Sequence, residues 1–352
     1  MAVIDDVVEP ANQAEADASA GAESGSRSVG RAFPGNARRW ATGVKEFNIL
    51  LALILLSTFL SFASPYFFRT DNLLGVARAF SLTAIAAIGQ TTVIITGGID
   101  LSVGSVLALS GLSTGMLLGR GWPLLPAIAA GFLVGASFGF ANGLLITKVG
   151  LPPFIATLGT LSIGRGLVYV LTKGYPVTIP RGQNTLIELG QGYVGRIPIP
   201  VIIMLVITIL GTIFLSQSTL GRYIYAVGGN EEAARLAGIN VVAAKLVVYT
   251  LSGTLAALAG IILLARLVSA QPSAGLGFEL PVIAASIIGG TSLLGGEGTV
   301  LGAVLGAAII GVLENGMVLL GVNTYAQQAV TGTVIILAVA LDIWQKRRRL
   351  RV

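Results

Sequence analysis

The chain has 352 residues, of which 54% are hydrophobic and only 11% are charged, and its mean hydropathy is +0.86. Soluble domains carry about 25% charged residues, so most of this chain must lie in lipid. The sequence contains neither cysteine nor histidine, which excludes disulfides, thiolate metal sites and the commonest general base. It also lacks a Gly-Lys dipeptide and therefore a Walker A phosphate loop, so any ATP must be bound by another chain.

The net charge of +6 does not indicate nucleic-acid binding. The basic residues are scattered at the ends of apolar segments, which is the distribution that membrane topology requires.

Residues 1–40 differ from the rest of the chain, because they are rich in Ala, Gly and Ser and carry six acidic residues before Arg27. Such a composition cannot bury enough apolar surface to offset the entropy of ordering, and it predicts a disordered tail. The first apolar run starts only at Phe47, too far from the N-terminus for a signal peptide. We interpret that run as an uncleaved first span.

The apolar runs predict an all-α, polytopic membrane protein. In lipid every backbone group must be paired within the protein, and the runs show no alternating strand pattern, so each run indicates a helix. Spans of roughly 20 residues cross the hydrocarbon core, and the short ones among the ten predicted spans include the second and the eighth. The ten are residues 47–63, 79–96, 101–119, 123–147, 153–171, 198–215, 245–266, 281–295, 299–320 and 326–344.

Basic residues predict the orientation. With both termini in the cytoplasm, fourteen Lys and Arg residues fall on the inner side and seven on the outer side, as the positive-inside rule requires. The predicted organisation is a cytoplasmic tail (1–40), a transmembrane domain (45–345) and a basic cytoplasmic tail (346–352). Residues 173–197 form a periplasmic loop and residues 216–245 the one sizeable cytoplasmic loop.

The segment GGIDLSVGS, residues 97–105, places a carboxylate in a nearly uncharged region. An isolated charge there costs several kcal/mol. The glycines predict that one helix stops at Gly97-Gly98 and that another restarts at Leu101. Asp100 is then the expected N-cap, accepting from the N–H of Ser102 or Val103. The alternative interpretation is that Asp100 contacts a substrate or a coupling ion, and this role is compatible with capping.

A weak internal repeat points to a second break. Ile85–Leu107 aligned on Ile283–Leu305 without gaps gives eight identities, among them the Gly-Gly pair. The alignment predicts a break at Gly295-Gly296, with Gly298 in the position of Asp100. Corresponding helical breaks mark the substrate path in transporters.

Other polar residues lie inside the predicted spans. Gln90 and Asn142 are either interhelical hydrogen-bonding residues or ligand contacts, whereas Glu314-Asn315 needs a partner or a water-filled cavity. Arg165 is expected to snorkel towards the outer face. The candidate translocation residues are Gln90, Gly97, Gly98, Asp100, Ser102, Asn142, Gly295, Gly296, Glu314 and Asn315.

The cytoplasmic loop contains a short helix signal. Asn230 can cap, Glu231 and Glu232 fill a first turn, and Gly238 ends the helix. A two-turn helix is unstable alone, so it is expected to dock against something.

Three segments together resemble the membrane permease subunits of bacterial ABC importers. They are GGIDLSVGS, PPFIATLGTL at 152–161 and GRYIYAVGGNEEAARLAGI at 221–239. The resemblance covers about residues 45–345 and is closest to the ribose, xylose and galactose branch.

This resemblance implies a non-enzymatic transport subunit of the bacterial inner membrane, acting as a homodimer. The implied partners are a cytoplasmic ATPase with two ATP-binding cassettes and a periplasmic sugar-binding protein. No cofactor is implied on this chain, since ATP would be bound by the ATPase. The implied coupling helix that docks on that ATPase contains Asn230, Glu231, Glu232, Ala233, Ala234, Arg235 and Gly238.

We therefore hypothesise that the chain is the permease of a monosaccharide importer. Related permeases for branched-chain amino acids share the fold, and autoinducer importers are similar. A secondary transporter that uses Asp100 and Glu314 as ion relay sites is a different alternative. An intramembrane protease would need a Ser-Lys or paired-Asp arrangement, and no spacing in the sequence supports one.

Overall fold

The computed structural model of the protein describes residues 35–180 and 182–349. Most of the predicted disordered tail, residues 1–34, lies outside the described residues, as do residues 350–352 of the basic tail. Residues 35–40 are helical, and the last helix continues to Arg349. The helical region is therefore longer at both ends than the sequence predicted.

The described residues form thirteen α-helices, one π-helical turn and four two-residue strands. Strand β1 pairs antiparallel with β4, and β2 pairs antiparallel with β3. In chain order the elements are α1 (Gly35–Ala63), α2 (Thr70–Ile95), α3 (Val103–Gly119), α4 (Leu124–Leu144), the π turn (Leu145–Val149), α5 (Pro153–Thr172), β1 (Val177–Thr178), α6 (Asn184–Gln191), β2 (Tyr193–Val194), β3 (Ile197–Pro198), α7 (Ile199–Gln217), α8 (Thr219–Gly229), α9 (Glu231–Leu236), α10 (Val241–Leu267), β4 (Ser269–Ala270), α11 (Glu279–Ile288), α12 (Val300–Leu319) and α13 (Thr324–Arg349).

Each predicted span overlaps a helix, and seven of the described helices are long and apolar enough to cross a membrane. The second predicted span is wrong in length, because α2 begins at Thr70 and has 26 residues. Its first turns carry Asp71, Asn72 and Arg78, which hide this part of the helix from a search for apolar runs. The eighth span is also wrong, because α11 has only ten residues and ends at Ile288.

Helix α10 is central to the fold and packs against α2, α3 and α4. Small residues allow this close approach. A Cβ added at Gly253 of α10 would overlap the backbone of Gly135 in α4, and one at Gly260 would overlap the backbone of Leu107 in α3. Such contacts let helices associate where lipid gives no hydrophobic drive between them.

Large apolar side chains cover the outer surfaces of α1, α5 and α7. Phe62 is 86% exposed, Val170 74% and Ile209 59%. A soluble protein rarely exposes such continuous apolar surface, so these surfaces are suited to contact lipid.

Candidate functional site

The first break joins α2 to α3. Helix α2 ends at Ile95, Gly97 has a φ of +79°, and α3 begins at Val103 with Ser102 as its N-cap. The predicted restart at Leu101 is therefore two residues early, and Asp100 is not the N-cap.

The Asp100 carboxylate instead forms an Asx turn, a local bond to the backbone two residues later. Its Oδ1 accepts from the backbone N–H of Ser102 at 2.9 Å and from the Ser102 hydroxyl at 2.6 Å. Asp100 thus fixes the residue that starts α3, rather than starting the helix itself.

A buried polar network surrounds this turn. The Ser252 hydroxyl of α10 donates to Asp100 Oδ2 at 2.8 Å, and Asn142 Nδ2 of α4 donates to Ser102 Oγ at 3.0 Å. Thr160 of α5 donates to Asn142 Oδ1 at 2.7 Å. All five side chains are buried. The donors Ser102 and Ser252 compensate for placing the carboxylate away from water, and Asn142 and Thr160 extend the network to α4 and α5.

Gln90 completes the network from α2. With its amide nitrogen oriented towards the Asp100 carbonyl, Gln90 donates to Asp100 O at 3.1 Å and accepts from Asp100 N at 3.2 Å. The structure thus brings together four candidate translocation residues, Gln90, Asp100, Ser102 and Asn142. They pair with one another around non-helical backbone, which membrane proteins tolerate only where protein buries it or water lines it.

The second break joins α11 to α12 and is built from backbone and glycine. Helix α11 ends before Gly289-Gly290 rather than at the predicted Gly295-Gly296. Gly290, Gly295 and Gly296 have φ values of +81°, +85° and +74°, a region that favours glycine. Thr299 is the N-cap of α12, and its hydroxyl accepts from Gly302 N at 3.0 Å.

The two breaks touch each other and also touch α8. The Gly296 N–H donates to the Ile95 carbonyl at 2.9 Å. Gly228, near the end of α8, packs against both groups so closely that an added Cβ would overlap the Ile95 carbonyl and lie 2.6 Å from Gly296 N. The Tyr225 hydroxyl, one turn earlier, donates to the Gly298 carbonyl at 2.6 Å.

Helix α9 directly follows α8. Asn230 caps it by accepting from Ala233 N at 2.9 Å, and Gly238 follows its end with a φ of +80°. Glu231 is held by Arg235 at 3.1 Å and by Lys245 of α10 at 2.6 Å. Its neighbour Glu232 is exposed.

The outward surface of α9 also carries an apolar residue, because Leu236 is 85% exposed. Ala233, Arg235 and Gly238 are exposed as well, whereas Ala234 packs inward. This helix thus presents both charged and apolar contacts to a partner.

A groove of about 820 Å³ lies where α2 and α13 begin and α12 ends. Glu314 and Asn315 lie in its wall, together with polar residues that were not predicted from the sequence. Those residues are Asp71, Asn72, Thr324, Gln327, Gln328 and Thr331. They were not predicted because α2 was expected to begin only at residue 79, and because a groove between four helices leaves no periodic signal in the sequence.

Asn72 and Asn315 pair across this groove wall. Each side-chain amide donates to the other's carbonyl oxygen, at 3.0 and 2.9 Å. The pair joins the beginning of α2 to the end of α12.

Arg165, which was predicted to snorkel towards the outer face, binds backbone carbonyls after α10. Its Nη1 donates to the carbonyls of Pro272 and Ala274 at 3.1 and 2.7 Å. These carbonyls belong to the irregular segment between β4 and α11, which packs on α3 where Gly275 meets Gly104. Arg165 therefore satisfies non-helical backbone.

Within residues 35–180 and 182–349, no group of three or more acidic side chains is placed to hold a metal ion.

Comparison with known proteins identifies the family. The model of the family described as "branched-chain amino acid transport system / permease component" matches residues 72–339. The chain belongs to this permease family. It is a transport component and a multi-pass protein of the bacterial inner membrane.

Several curated relatives of the permease are similar over almost their whole length. The ribose import permease protein of Escherichia coli (strain K12) is 46% identical over 300 residues, which cover 84% of this chain and 93% of the relative. The ribose import permease protein of Bacillus subtilis (strain 168) is 47% identical over 301 residues, which cover 85% of this chain and 93% of the relative. The D-allose transport system permease protein of Escherichia coli (strain K12) is 42% identical over 299 residues, which cover 85% of this chain and 91% of the relative. These similarities do not favour an ion-coupled secondary transporter.

Proposed function

We propose that this permease is the transmembrane subunit of an ATP-driven importer for a monosaccharide. The observation that carries the proposal is the 46% identity to a ribose import permease over 93% of that relative's length. Relatives named for D-allose and L-arabinose transport extend the similarity to other monosaccharides. The proposed partners are a second copy of this chain, an ATPase with two ATP-binding cassettes and a periplasmic sugar-binding protein.

The proposed topology has ten spans and both termini in the cytoplasm. Helices α8 and α9 belong to the cytoplasmic loop over residues 216–245, and α6 belongs to the periplasmic loop over residues 173–197. Residues 1–40 and 346–352 are cytoplasmic tails flanking the transmembrane domain at 45–345. The basic residues at the chain ends support this orientation.

Helix α9 is the proposed coupling helix, which seats in a groove of the ATPase. Glu232 and Leu236 are free to make the contact, while the Glu231 carboxylate is already bound by Arg235 and Lys245. Gly238 ends the helix where a positive φ is needed, so a side chain there would strain the turn.

Motion of α9 has a short path to the breaks. Only the cap residue Asn230 separates α9 from α8, and α8 contacts the second break through Tyr225 and Gly228. A displacement of the coupling helix when ATP binds therefore moves α8 against Gly296 and Gly298. We propose that these breaks change access to the sugar pathway.

Reconstitution tests the transported solute. The full-length permease, its ATPase and its binding protein are incorporated in liposomes, and radiolabelled D-ribose or L-leucine is supplied. We expect uptake of the sugar that requires both ATP and the binding protein. Leucine uptake at a comparable rate would assign the permease to amino acids, and ion-driven uptake without the ATPase would refute the proposal.

Two variants test the coupling helix in the same liposomes. Glu232→Ala and Gly238→Val should abolish sugar uptake and reduce ATPase retention on the membrane, while the permease still inserts. Glu188→Ala, on the opposite side in α6, is the control and should transport normally. Normal uptake by both α9 variants would remove α9 from the coupling path.

A further inference from the structure

The groove exists because α11 is only half the length of a span. Helix α2 has 26 residues and is about 39 Å long, whereas α11 has ten and is about 15 Å long. The volume beside α2, α12 and α13 that a full helix would occupy is therefore left open. Leu280 and Pro281, in the first turn of α11, line its floor.

The groove wall carries polar side chains among apolar ones, although its helices lie among apolar spans. Asp71 and Glu314 are both exposed. Among the described residues, the Glu314 carboxylate has no hydrogen-bond or ion-pair partner. Exposed carboxylates on membrane-spanning helices must face water or a ligand rather than hydrocarbon. The apolar surfaces of α1, α5 and α7 show what a lipid-facing side of this chain looks like.

The chemistry of the wall matches a polyol. Carboxylate oxygens accept hydrogen bonds from hydroxyl groups, and amides both donate and accept, so the combination suits a ring that carries several hydroxyls. The volume of about 820 Å³ lies within the range of small-molecule sites, with room for a hydrated monosaccharide. No net charge on the ligand is needed, because the hydroxyls supply the donors.

We infer that this groove is the chamber that holds the monosaccharide in transit, with Glu314 as a hydroxyl acceptor and α11 as a movable floor. The inference rests on the proposed function and assigns a place to its substrate. The paired amides of Asn72 and Asn315 keep α2 and α12 at a fixed separation beside the acceptor. The far end of α11 leads into the second break, which α8 contacts.

This assignment separates the candidate translocation residues into two groups. Glu314 and Asn315 contact the sugar chamber, whereas the buried network of Gln90, Asp100, Ser102 and Asn142 holds the first break. The moving path then runs from α9 through α8 and the second break to the floor of the chamber.

A cysteine accessibility experiment tests the chamber directly, because the natural chain contains no cysteine. Gln328→Cys places a single thiol in the groove, and Tyr175→Cys places one at a site that is 75% exposed and outside the groove lining. In the reconstituted complex, D-ribose with binding protein and ATP should slow maleimide labelling of the groove thiol several-fold. Labelling at residue 175 should be unchanged, and L-leucine should protect neither site.

Glu314 is tested in the Gln328→Cys background. Glu314→Ala should raise the ribose concentration for half-protection by about tenfold, the loss of one hydrogen bond to a charged group. Glu314→Gln keeps one acceptor oxygen and should give a smaller shift. A purely structural role for Glu314 would lower the amount of folded complex without moving the half-protection concentration.

The outcomes distinguish this inference from the proposed function. If wild-type complex takes up ribose but the groove thiol is not protected and Glu314→Ala transports normally, the chamber lies elsewhere and the transporter assignment stands. If wild-type complex takes up no sugar at all, the proposed function itself is wrong. Equal protection of both thiols would also overturn the chamber, because it would reflect a global change rather than occupancy.

Discussion

The two helical breaks occupy aligned positions in the sequence but are held by different means. Side chains fix the first break, since Asp100 binds Ser102 and Ser252 and its backbone pairs with Gln90. Backbone groups shape the second, where Gly296 donates to Ile95 and Gly298 accepts from Tyr225. One break is tied into the core of the bundle, and the other is tied to α8.

This difference indicates which of the two breaks can move during transport. Displacing the first break would separate a carboxylate from its donors in a buried site, where unpaired charges are very costly. Displacing the second would exchange a few backbone contacts at glycines, which tolerate many conformations. We therefore expect the first break to act as a fixed point and the second to follow α8.

The largest effect is expected where α8 meets both breaks. Gly228→Val would force a side chain into the Ile95 carbonyl and the Gly296 amide. Overpacking costs about 1–3 kcal/mol even where neighbours relax, and the upper value corresponds to roughly a 100-fold loss. We expect sugar uptake in liposomes to fall by at least about that factor.

Gly229→Val is the matched control for this prediction, because nothing lies within 4 Å of a Cβ added there. It should keep most of the uptake. Similar losses in the two variants would mean that helix propensity, not contact with the breaks, decides the result.

The next largest effect is expected at Asp100, and on stability more than on transport. Asp100→Leu removes the acceptor for Ser102 and Ser252, and hydrogen bonds to charged groups contribute about 1.5–3 kcal/mol each. The melting temperature of the purified permease should fall steeply. Asp100→Asn keeps one acceptor oxygen, so its melting temperature should fall much less. Equal falls in the melting temperatures of the two variants would show that the charge itself is needed.

The spans could be predicted from sequence because lipid imposes one rule on every backbone group. Long apolar runs therefore located α4, α5, α7 and α10 within a few residues, together with the end of α1. The rule fails where a helix begins with polar residues, and for this reason the start of α2 at Asp71 and Asn72 was missed. It fails again at α11, because Gly289-Gly290 and Gly295-Gly296 both resemble a helix stop.

The partners of Asp100 could not be predicted. Serine and threonine are common in membrane spans, and nothing in the sequence distinguishes Ser252 and Thr160 from the others. Their roles depend on how α10 and α5 are rotated about their axes, which is set by packing across the bundle. The groove likewise arises from a helix that is too short, and its wall is assembled from residues more than 200 positions apart, such as Asn72 and Asn315.

A smaller effect is expected for the hydroxyl that links α8 to the second break. Tyr225→Phe loses the hydrogen bond to the Gly298 carbonyl but keeps the ring. A net loss of about 1 kcal/mol should lower uptake roughly fivefold. The melting temperature of the purified permease should not change, because the network at the first break is intact. Tyr223→Phe, on the same helix and 37% exposed, is the control. Unchanged uptake in Tyr225→Phe would mean that α8 is coupled to the second break by packing at Gly228 alone.

The smallest effect is expected at the far end of the first-break network. Thr160→Val removes the hydroxyl that donates to Asn142 Oδ1 while keeping the side-chain volume. The free energy of unfolding should fall by about 1 kcal/mol, and uptake should stay within about twofold of wild type because the break remains in place. Ser162→Ala, exposed on the same helix, controls for a change in α5 itself.

The double variant with Asp100→Asn decides whether these bonds act as one unit. Thr160 reaches Asp100 only through Asn142 and Ser102, so independent bonds predict additive losses. A cooperative network predicts a combined loss that differs from the sum by at least about 0.5 kcal/mol. Additive losses together with a large uptake defect in Thr160→Val alone would contradict the fixed-point role, because the first break would then be moving during transport.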